Sequence, residues 1–471
     1  MASARPNGRS STRLSPLDAA FLEVESPTAH MHVGWVAIFA PPEDAKAPSF
    51  DELRQRIESR VPSAPRYRQK LAWVPFGLHD PEWIDDPAFD IRHHVRRSSA
   101  REIGRLIEHV YSTPLERDRP LWEVWIADQL ADGRIGVVGK AHHCMVDGIA
   151  AVELASLFCD ATPEAPPMQP VEPWDPAPEP DRTELLARGV EDRIVDELKL
   201  LKLPARVLRS PRRIVGIAGE AARAARALAH ALTPSPANGV LNEPISPLRT
   251  LATVSRPLED LSRVKRRYGT TINDVVLAVA AGGVRSYLRA RGEPPTRLKT
   301  MVPVNVRDGA ATDLGNRISF VYVGLPCDEP SPLRRLDDVR LGMNSRKEAG
   351  EHLGAEAALD AVSFAPHSLQ HAVSHAVASA RAYNITVSNI PGPRQPLWMA
   401  GCPLEEAYPV VPLADRHAVS IGFTTVAERG FFGIYVDRKT VPDAHFLARE
   451  VERALDELLA QAGEGRTLQP A

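Results

Sequence analysis

The sequence predicts a mixed α/β protein built as two lobes, and three observations predict it. The chain has 471 residues, long enough for two sizeable cores. Eight prolines fall in the 21 positions of 161–181, a density that suits neither a helix nor an inner strand and marks an extended linker. On each side of it, strand-like and helix-like runs alternate in similar amounts, although no residue-level repeat relates the halves. The expected boundaries are a disordered N-terminus over 1–13, a first lobe over 14–160, a Pro-rich and basic helical linker over 161–245, a second lobe over 246–462 and a flexible tail over 463–471.

In the first lobe, residues 31–39 (MHVGWVAIF) read as a strand. Residues 50–60 have helical spacing, with Ser49 or Asp51 as the cap. Residues 71–74 and 89–95 are strand candidates, and 102–111 is a short helix. A strand over 121–126 turns through Ala131-Asp132-Gly133 into its partner over 135–141. Beyond the prolines, 183–232 is helical in character, with breaks expected at Pro204 and Pro211. The second lobe offers strands at 250–255, 300–306, 318–325 and 385–388, and helices at 271–288, 333–347 and 355–380. A hairpin of 419–425 with 431–436 follows, then a closing helix over 442–459 with Pro442 in its first turn.

Composition excludes several classes. Hydrophobic residues are 44% and charged residues 25%, an ordinary globular balance. A net charge of −3 carries no basic signature, so nucleic acid is not an expected partner. Cys144, Cys159, Cys327 and Cys402 are scattered, with no C-x-x-C pair. That argues against a metal site or a disulfide framework and fits a reducing cytosol. The first 12 residues are polar, unlike a signal peptide. No apolar run reaches the roughly 18 residues that a spanning helix needs. Within 199–226, however, eight Lys or Arg stand against the single acid Glu220, interleaved with Leu, Ile and Val. Such a stretch is either an inter-lobe helix pair or a surface that lies on anionic lipid.

The chemistry concentrates in KAHHCMVDG, residues 140–148, between the 135–141 strand and an apolar helical run over 149–158. A neutral imidazole can take a proton from a hydroxyl. Asp147 can hold the loop by accepting an N–H or pairing with a cation, and Gly148 allows close approach. Adjacent strand residues point to opposite faces, so one histidine can face a cleft and the other the core; spacing alone leaves open which. His93-His94 is a second doublet with no Asp-Gly after it, and reads as a solvated or structural strand pair.

HHCMVDG resembles the active-site motif of the CoA-dependent acyltransferase superfamily, which includes chloramphenicol acetyltransferase and the condensation domains of peptide synthetases. Further strings narrow the likeness: LSPLD at 14–18 with Phe21-Leu22, MHVG at 31–34, PLWE at 120–123, Asn273-Asp274, PVNVR at 303–307 and SNIPGP at 388–393. Together and in this order they resemble the bacterial wax ester synthase/diacylglycerol acyltransferase family.

The resemblance implies two chloramphenicol-acetyltransferase-like lobes with an active-site tunnel between them. It implies O-acyl transfer from a long-chain acyl-CoA, a co-substrate rather than a cofactor, to diacylglycerol or a fatty alcohol. His143 would face the tunnel as general base and act directly, with no acyl-enzyme; Cys144 as a covalent nucleophile is the rival. His142 and Asp147 would be structural, with Arg307 as the cation for Asp147, and Asp274 would hold its turn. Asn273 is either a donor to the substrate carbonyl or a helix cap. Trp35 and Trp122 are candidates for shaping the tunnel, against the alternative that they pack the core. The enzyme would be cytoplasmic and peripherally bound to membrane or lipid droplets through the basic stretch. Two other readings stay open: a condensation or polyketide-associated acyltransferase using a carrier-bound thioester, and a non-catalytic lipid-droplet protein.

Overall fold

The computed structural model describes residues 12–42, 46–145, 158–164, 173–207, 229, 233–236, 238–305, 318–348, 373–376 and 378–463. It contains two six-stranded sheets and a small three-stranded one. The first lobe opens with β1 (Thr12–Arg13), α1 (Pro16–Glu23), β2 (His32–Phe39) and α2 (Phe50–Arg60). Next come β3 (Gln69–Ala72), β4 (Glu82–Asp85), α3 (Ile91–His94), β5 (Val95–Arg97) and α4 (Ile103–Ser112), then β6 (Trp122–Ala127) and β7 (Ile135–His142). Helix α5 (Arg182–Val207) follows the prolines. The second lobe contributes β8 (Arg249–Pro257), α6 (Leu258–Tyr268), α7 (Ile272–Ala290), β9 (Leu298–Asn305), β10 (Ile318–Leu325) and α8 (Pro332–Glu348). It continues through β11 (Ile385–Ile390), β12 (Trp398–Met399), β13 (Cys402–Val410), β14 (Val419–Val426), β15 (Arg429–Asp437) and α9 (Ala444–Gly463).

Local chemistry accounts for the boundaries. Helix α2 starts where Ser49 and Glu52 cap each other: the Ser49 side chain accepts the Glu52 N–H and the Glu52 carboxylate accepts the Ser49 N–H at 2.6 Å. That satisfies donors the first turn leaves open. Helix α1 begins the same way, with Ser15 and Asp18 as the reciprocal pair and Pro16 in the first turn.

The first sheet runs β12-β13-β2-β7-β6-β5 and the second β10-β9-β11-β14-β15-β8. The outer strands of the first sheet, β12 and β13, come from the 246–462 range, so the chain crosses back to complete the lobe it left. Strand β13 pairs antiparallel with β2 and also lies against the second sheet. A Cβ on Gly433 would sit 2.1 Å from the Pro409 carbonyl oxygen and one on Gly422 2.9 Å from Pro409 Cγ, so the backbones approach only because both are glycine. Helix α4 is wedged between the lobes: Leu106, Val110 and Tyr111 share one buried cluster with Val36 and Val138 of the first sheet and Leu251 and Val254 of β8.

Several expectations change. Thr12 and Arg13 pair with β4 rather than being disordered. Residues 91–94 form a helical turn capped by Asp90, not a strand, because the Asp90 carboxylate accepts the Arg92 N–H at 2.9 Å. The strand expected at 71–74 is 69–72. Pro204 does not interrupt α5, which runs on to Val207. Helices α1 and α6 and strand β13 had no counterpart in the sequence reading.

Candidate active site

Strand β7 delivers the histidine pair. His32 on β2 stands opposite His142 on β7. One residue further, the His143 N–H donates to the carbonyl of Met31 at 2.9 Å. Met31 adopts φ 49, a conformation uncommon outside glycine. The MHVG string therefore acts through its backbone and its Gly: a Cβ on Gly34 would strike the Gly139 carbonyl at 2.3 Å and the Tyr111 hydroxyl at 2.2 Å.

The two rings then diverge. His142 is buried in the first lobe. Its Nδ1 accepts the Cys144 N–H at 3.1 Å, which closes the turn carrying His143. Its Nε2 lies 3.3 Å from Glu25 Oε2. Burial and then the nearby Arg117 hold the His142 pKa down at about 3. Arg117 is itself paired with Glu25, so it offsets the carboxylate that would otherwise favour imidazolium, and His142 stays neutral.

His143 points the other way, into a cavity between the lobes that encloses about 1090 Å³ of empty space including its open mouth. The first lobe supplies Leu17, Phe21 and Glu23 of α1, with Val24, Met31 and His143; the second supplies Met301 and Pro303 of β9, Phe320 of β10, Thr386 of β11, Tyr383, Val411 and Pro412. Among the described residues the wall is mainly apolar; besides His143 their polar side chains are Glu23, Ser374, Tyr383 and Thr386. Phe21 stacks on the His143 ring, centroids 3.7 Å apart and planes within 9°. The LSPLD string thus has a physical role, since it caps the helix that lays Phe21 on His143.

Two charged groups hold the ground beneath. Lys140 is fully buried, and its ammonium donates to the carbonyls of Val110 (3.0 Å) and Thr113 (2.8 Å) at the C-terminal end of α4, where a cation complements the helix dipole. Glu123 of PLWE lies 3.4 Å from Lys140 and balances its charge. Cys144 is buried, and burial raises its thiol pKa well above the ordinary value. A thiol kept protonated is a poor nucleophile.

The other expected residues take different places. Trp122 is a core residue of the first lobe, outside the His143 cavity wall: its indole N–H donates to the Tyr67 carbonyl at 2.8 Å and its ring stacks on His94. Its strand position points to the side where Tyr67 packs, away from the cavity. Trp35 lines a different cavity of about 630 Å³, between β2 and the Ile390–Leu397 side of the second lobe. Asn273 is at the second position of α7, half-buried and outside the His143 cavity wall. The cap is Thr271, whose hydroxyl accepts the Asp274 N–H at 3.1 Å while the buried Asp274 carboxylate accepts from the Thr271 N–H at 2.9 Å. Asp147, Gly148 and Arg307 lie outside the described residues. Sequence reasoning gave no role to Phe21, Glu25, Arg117 or the Met31 carbonyl. For Glu25, an acid just beyond an apolar helix was the available signal. Among the described residues no group of His, Cys, Asp or Glu is arranged to hold a metal ion.

Comparison with known proteins rests on the whole chain. The model of the wax ester synthase/diacylglycerol acyltransferase catalytic domain matches residues 14–276, and that of the C-terminal domain of the same family matches 314–459. The chain belongs to the wax ester synthase/diacylglycerol acyltransferase family. It is an acyltransferase. A probable diacylglycerol O-acyltransferase of Mycobacterium tuberculosis is 32% identical over 466 residues, 95% of this chain and 96% of the relative. A putative diacylglycerol O-acyltransferase of the same organism is 31% identical over 470 residues, 96% and 91% of the two chains. Among solved structures, the wax ester synthase/diacylglycerol acyltransferase from Marinobacter aquaeolei VT8 superimposes with a TM-score of 0.69 at 26% identity, covering 96% of this chain and all of that one. The first condensation domain of the CDA synthetase shares the fold, with a TM-score of 0.57 at 18% identity and 98% and 97% coverage. The two-lobed acyltransferase architecture expected from the motifs is the one observed.

Proposed function

We propose that this acyltransferase moves a long-chain acyl group from acyl-CoA to the hydroxyl of diacylglycerol, of a fatty alcohol, or of both, with His143 as general base. The observation that carries the reading is the placement of His143, an imidazole set in a mainly apolar wall between the lobes. The acceptor oxygen attacks the thioester carbonyl carbon as His143 takes the hydroxyl proton. The C–S bond breaks, CoA leaves as thiolate, and the imidazolium returns the proton to sulfur. A positioned base is worth about 10²–10⁴ in rate. No protein group becomes acylated in this scheme, and the reaction calls for no cofactor beyond its co-substrate.

Asp147 is read as a structural carboxylate paired with Arg307, while Asn273, outside the His143 cavity wall, belongs to the first turn of α7. The apolar cavity favours lipid substrates. Together with the cationic stretch 199–226 it supports a cytoplasmic enzyme attached peripherally to membrane or lipid droplets. No helix among the described residues is long and apolar enough to cross a membrane. The test is purified protein with palmitoyl-CoA and either dioleoylglycerol or hexadecanol, following thiol release and lipid product. The expected result is a neutral lipid formed in step with thiol, and a loss of about 10²-fold or more in kcat for His143→Ala. Thiol release without lipid product, or full activity of His143→Ala, would overturn the reading.

A further inference from the structure

One helix and its extension address both histidines. Phe21 lies on α1 and stacks on His143. The helical path persists through the cap residue Val24, whose N–H donates to the Ala20 carbonyl at 3.1 Å. Glu25 follows, four positions after Phe21, and its carboxylate stands beside His142 instead. The loop that leads from Glu25 to Met31 is tightly held. Ser26 and Ala29 exchange backbone hydrogen bonds of 3.0 and 3.1 Å, and His30 Nε2 meets the Pro27 carbonyl at 3.0 Å. The buried Arg249 of β8 donates to the Thr28 carbonyl across the lobe boundary. A carboxylate at the root of such a loop has a fixed aim.

Its target is a proton. A neutral imidazole carries one N–H and one bare nitrogen, and the bond made at one nitrogen decides the state of the other. At His142 the choice is forced. Nδ1 accepts the Cys144 N–H at 3.1 Å, so in the neutral ring the proton is on Nε2. Nε2 is buried, and among the described residues it has no acceptor other than Glu25 Oε2, 3.3 Å away. The opposite tautomer would set two N–H groups against each other, that of Nδ1 and that of Cys144, and would open the turn that delivers His143 to the cavity. Arg117 is the counterweight. It pairs with Glu25, so the carboxylate can accept a hydrogen bond without drawing a second proton onto the ring, which would land on Nδ1.

We propose that Glu25 is a positioning residue for acyl transfer: its carboxylate keeps the His142 proton on Nε2, and the Nδ1 lone pair left bare holds the turn that aims His143. The inference rests on the reading of His143 as general base. The competing account makes Glu25 and Arg117 a plain ion pair, and two variants separate the accounts. Glu25→Gln and Glu25→Leu both abolish the charge pair with Arg117, and both keep roughly the side-chain volume. Only glutamine offers an oxygen to Nε2–H.

The experiment measures thiol release from palmitoyl-CoA with dioleoylglycerol or hexadecanol for the full chain. The kcat of Glu25→Leu should fall about tenfold or more below that of Glu25→Gln, the cost of a buried N–H left without an acceptor. KM for acyl-CoA should change little, since Glu25 is not in the cavity wall. In a His142→Asn background the amide oxygen can accept the Cys144 N–H whatever stands at position 25, so Glu25→Leu should cost no further kcat there. Nitrogen NMR of the imidazoles, with the His142 signals identified by their loss in His142→Asn, should place the proton on Nε2 in wild type and in Glu25→Gln, and should show Nδ1–H populated in Glu25→Leu. Equal kcat losses for the two Glu25 variants would overturn the proposal and leave the ion pair as the role of Glu25. A wild-type spectrum with the proton on Nδ1 would also overturn it, even if Glu25→Leu failed to fold. The spectra need no turnover, so they stand apart from full activity of His143→Ala, the result that would remove the general base.

Discussion

Phe21 offers the sharpest test of how the site is held. The residue is half-buried, packs against both main cores and stacks on His143. Two contributions can be separated. Aromatic stacking is worth about 0.5–1.5 kcal/mol beyond burial, which at 25 °C weights the productive ring orientation about 2- to 12-fold over the alternatives. The apolar contact is a second contribution: a buried Phe→Ala change costs about 3–5 kcal/mol, and a half-buried one about half that. Phe21→Leu keeps most of the volume and removes the stack. It should melt within a few degrees of wild type yet lose about 2- to 10-fold in kcat, because His143 spends less time aligned. Phe21→Ala should lose the same factor in kcat, about 2 kcal/mol of stability, and some substrate affinity, since Phe21 also lines the cavity. The assay is steady-state thiol release with thermal melts on the same preparations. If Phe21→Leu retains full kcat, stacking does not orient His143. If it loses stability as heavily as Phe21→Ala, Phe21 is a packing residue and no more.

Cys144→Ala should keep activity within a few-fold and trap no acyl label, because the buried thiol stays protonated; loss of activity with label on wild-type protein would restore the covalent route. Asp274→Ala removes half of the Thr271–Asp274 capping box and should lower stability by about 1–2 kcal/mol, with Asp274→Asn recovering part of it in a denaturant melt; an unchanged melt for Asp274→Ala would show the cap to be idle. Stability should also fall on acidification below pH 6.5. His142 is depressed to about 3 and His32 well below its ordinary value, both first of all by burial, so the unfolded chain takes up these protons before the folded one does. The stability they support is complete above about 6.5 and drains as pH falls towards their folded values, by about 2 kcal/mol for His142 at pH 5; a melting temperature that is flat from pH 7 to 5 would contradict it.

How much of this was legible depended on whether the cause was local. Helix α2 was readable to the residue, because Ser49, Glu52 and the Phe50, Leu53, Ile57 spacing all act within one turn of each other. The His142-His143 doublet was readable as a strand end for the same reason, and alternation on a strand foretold that the rings would part. The cap of α7 was nearly readable: Thr271 and Asn273 are both competent, and the reciprocal bond from Asp274 selects the one three residues upstream. Strand β13 was hidden. A bulge between Leu404 and Glu406 breaks its alternation, two prolines interrupt its composition, and its partner β2 lies more than 360 positions earlier in the chain. The same distance problem conceals the cavity. Its walls combine α1, Met31 and His143 with β9, β10 and β11, and no periodicity announces which apolar faces will meet. Trp122 takes the packing alternative, its indole N–H held by the Tyr67 carbonyl in the first lobe's core. What three of the motif strings share is a mechanical relation to one turn. LSPLD caps the helix that carries Phe21, MHVG supplies the carbonyl that receives the His143 N–H, and PLWE supplies the charge that balances Lys140 beneath the strand. Three of the six strings therefore encode the support of a single imidazole. That is why these strings could point to the chemistry and yet leave open what the cavity holds.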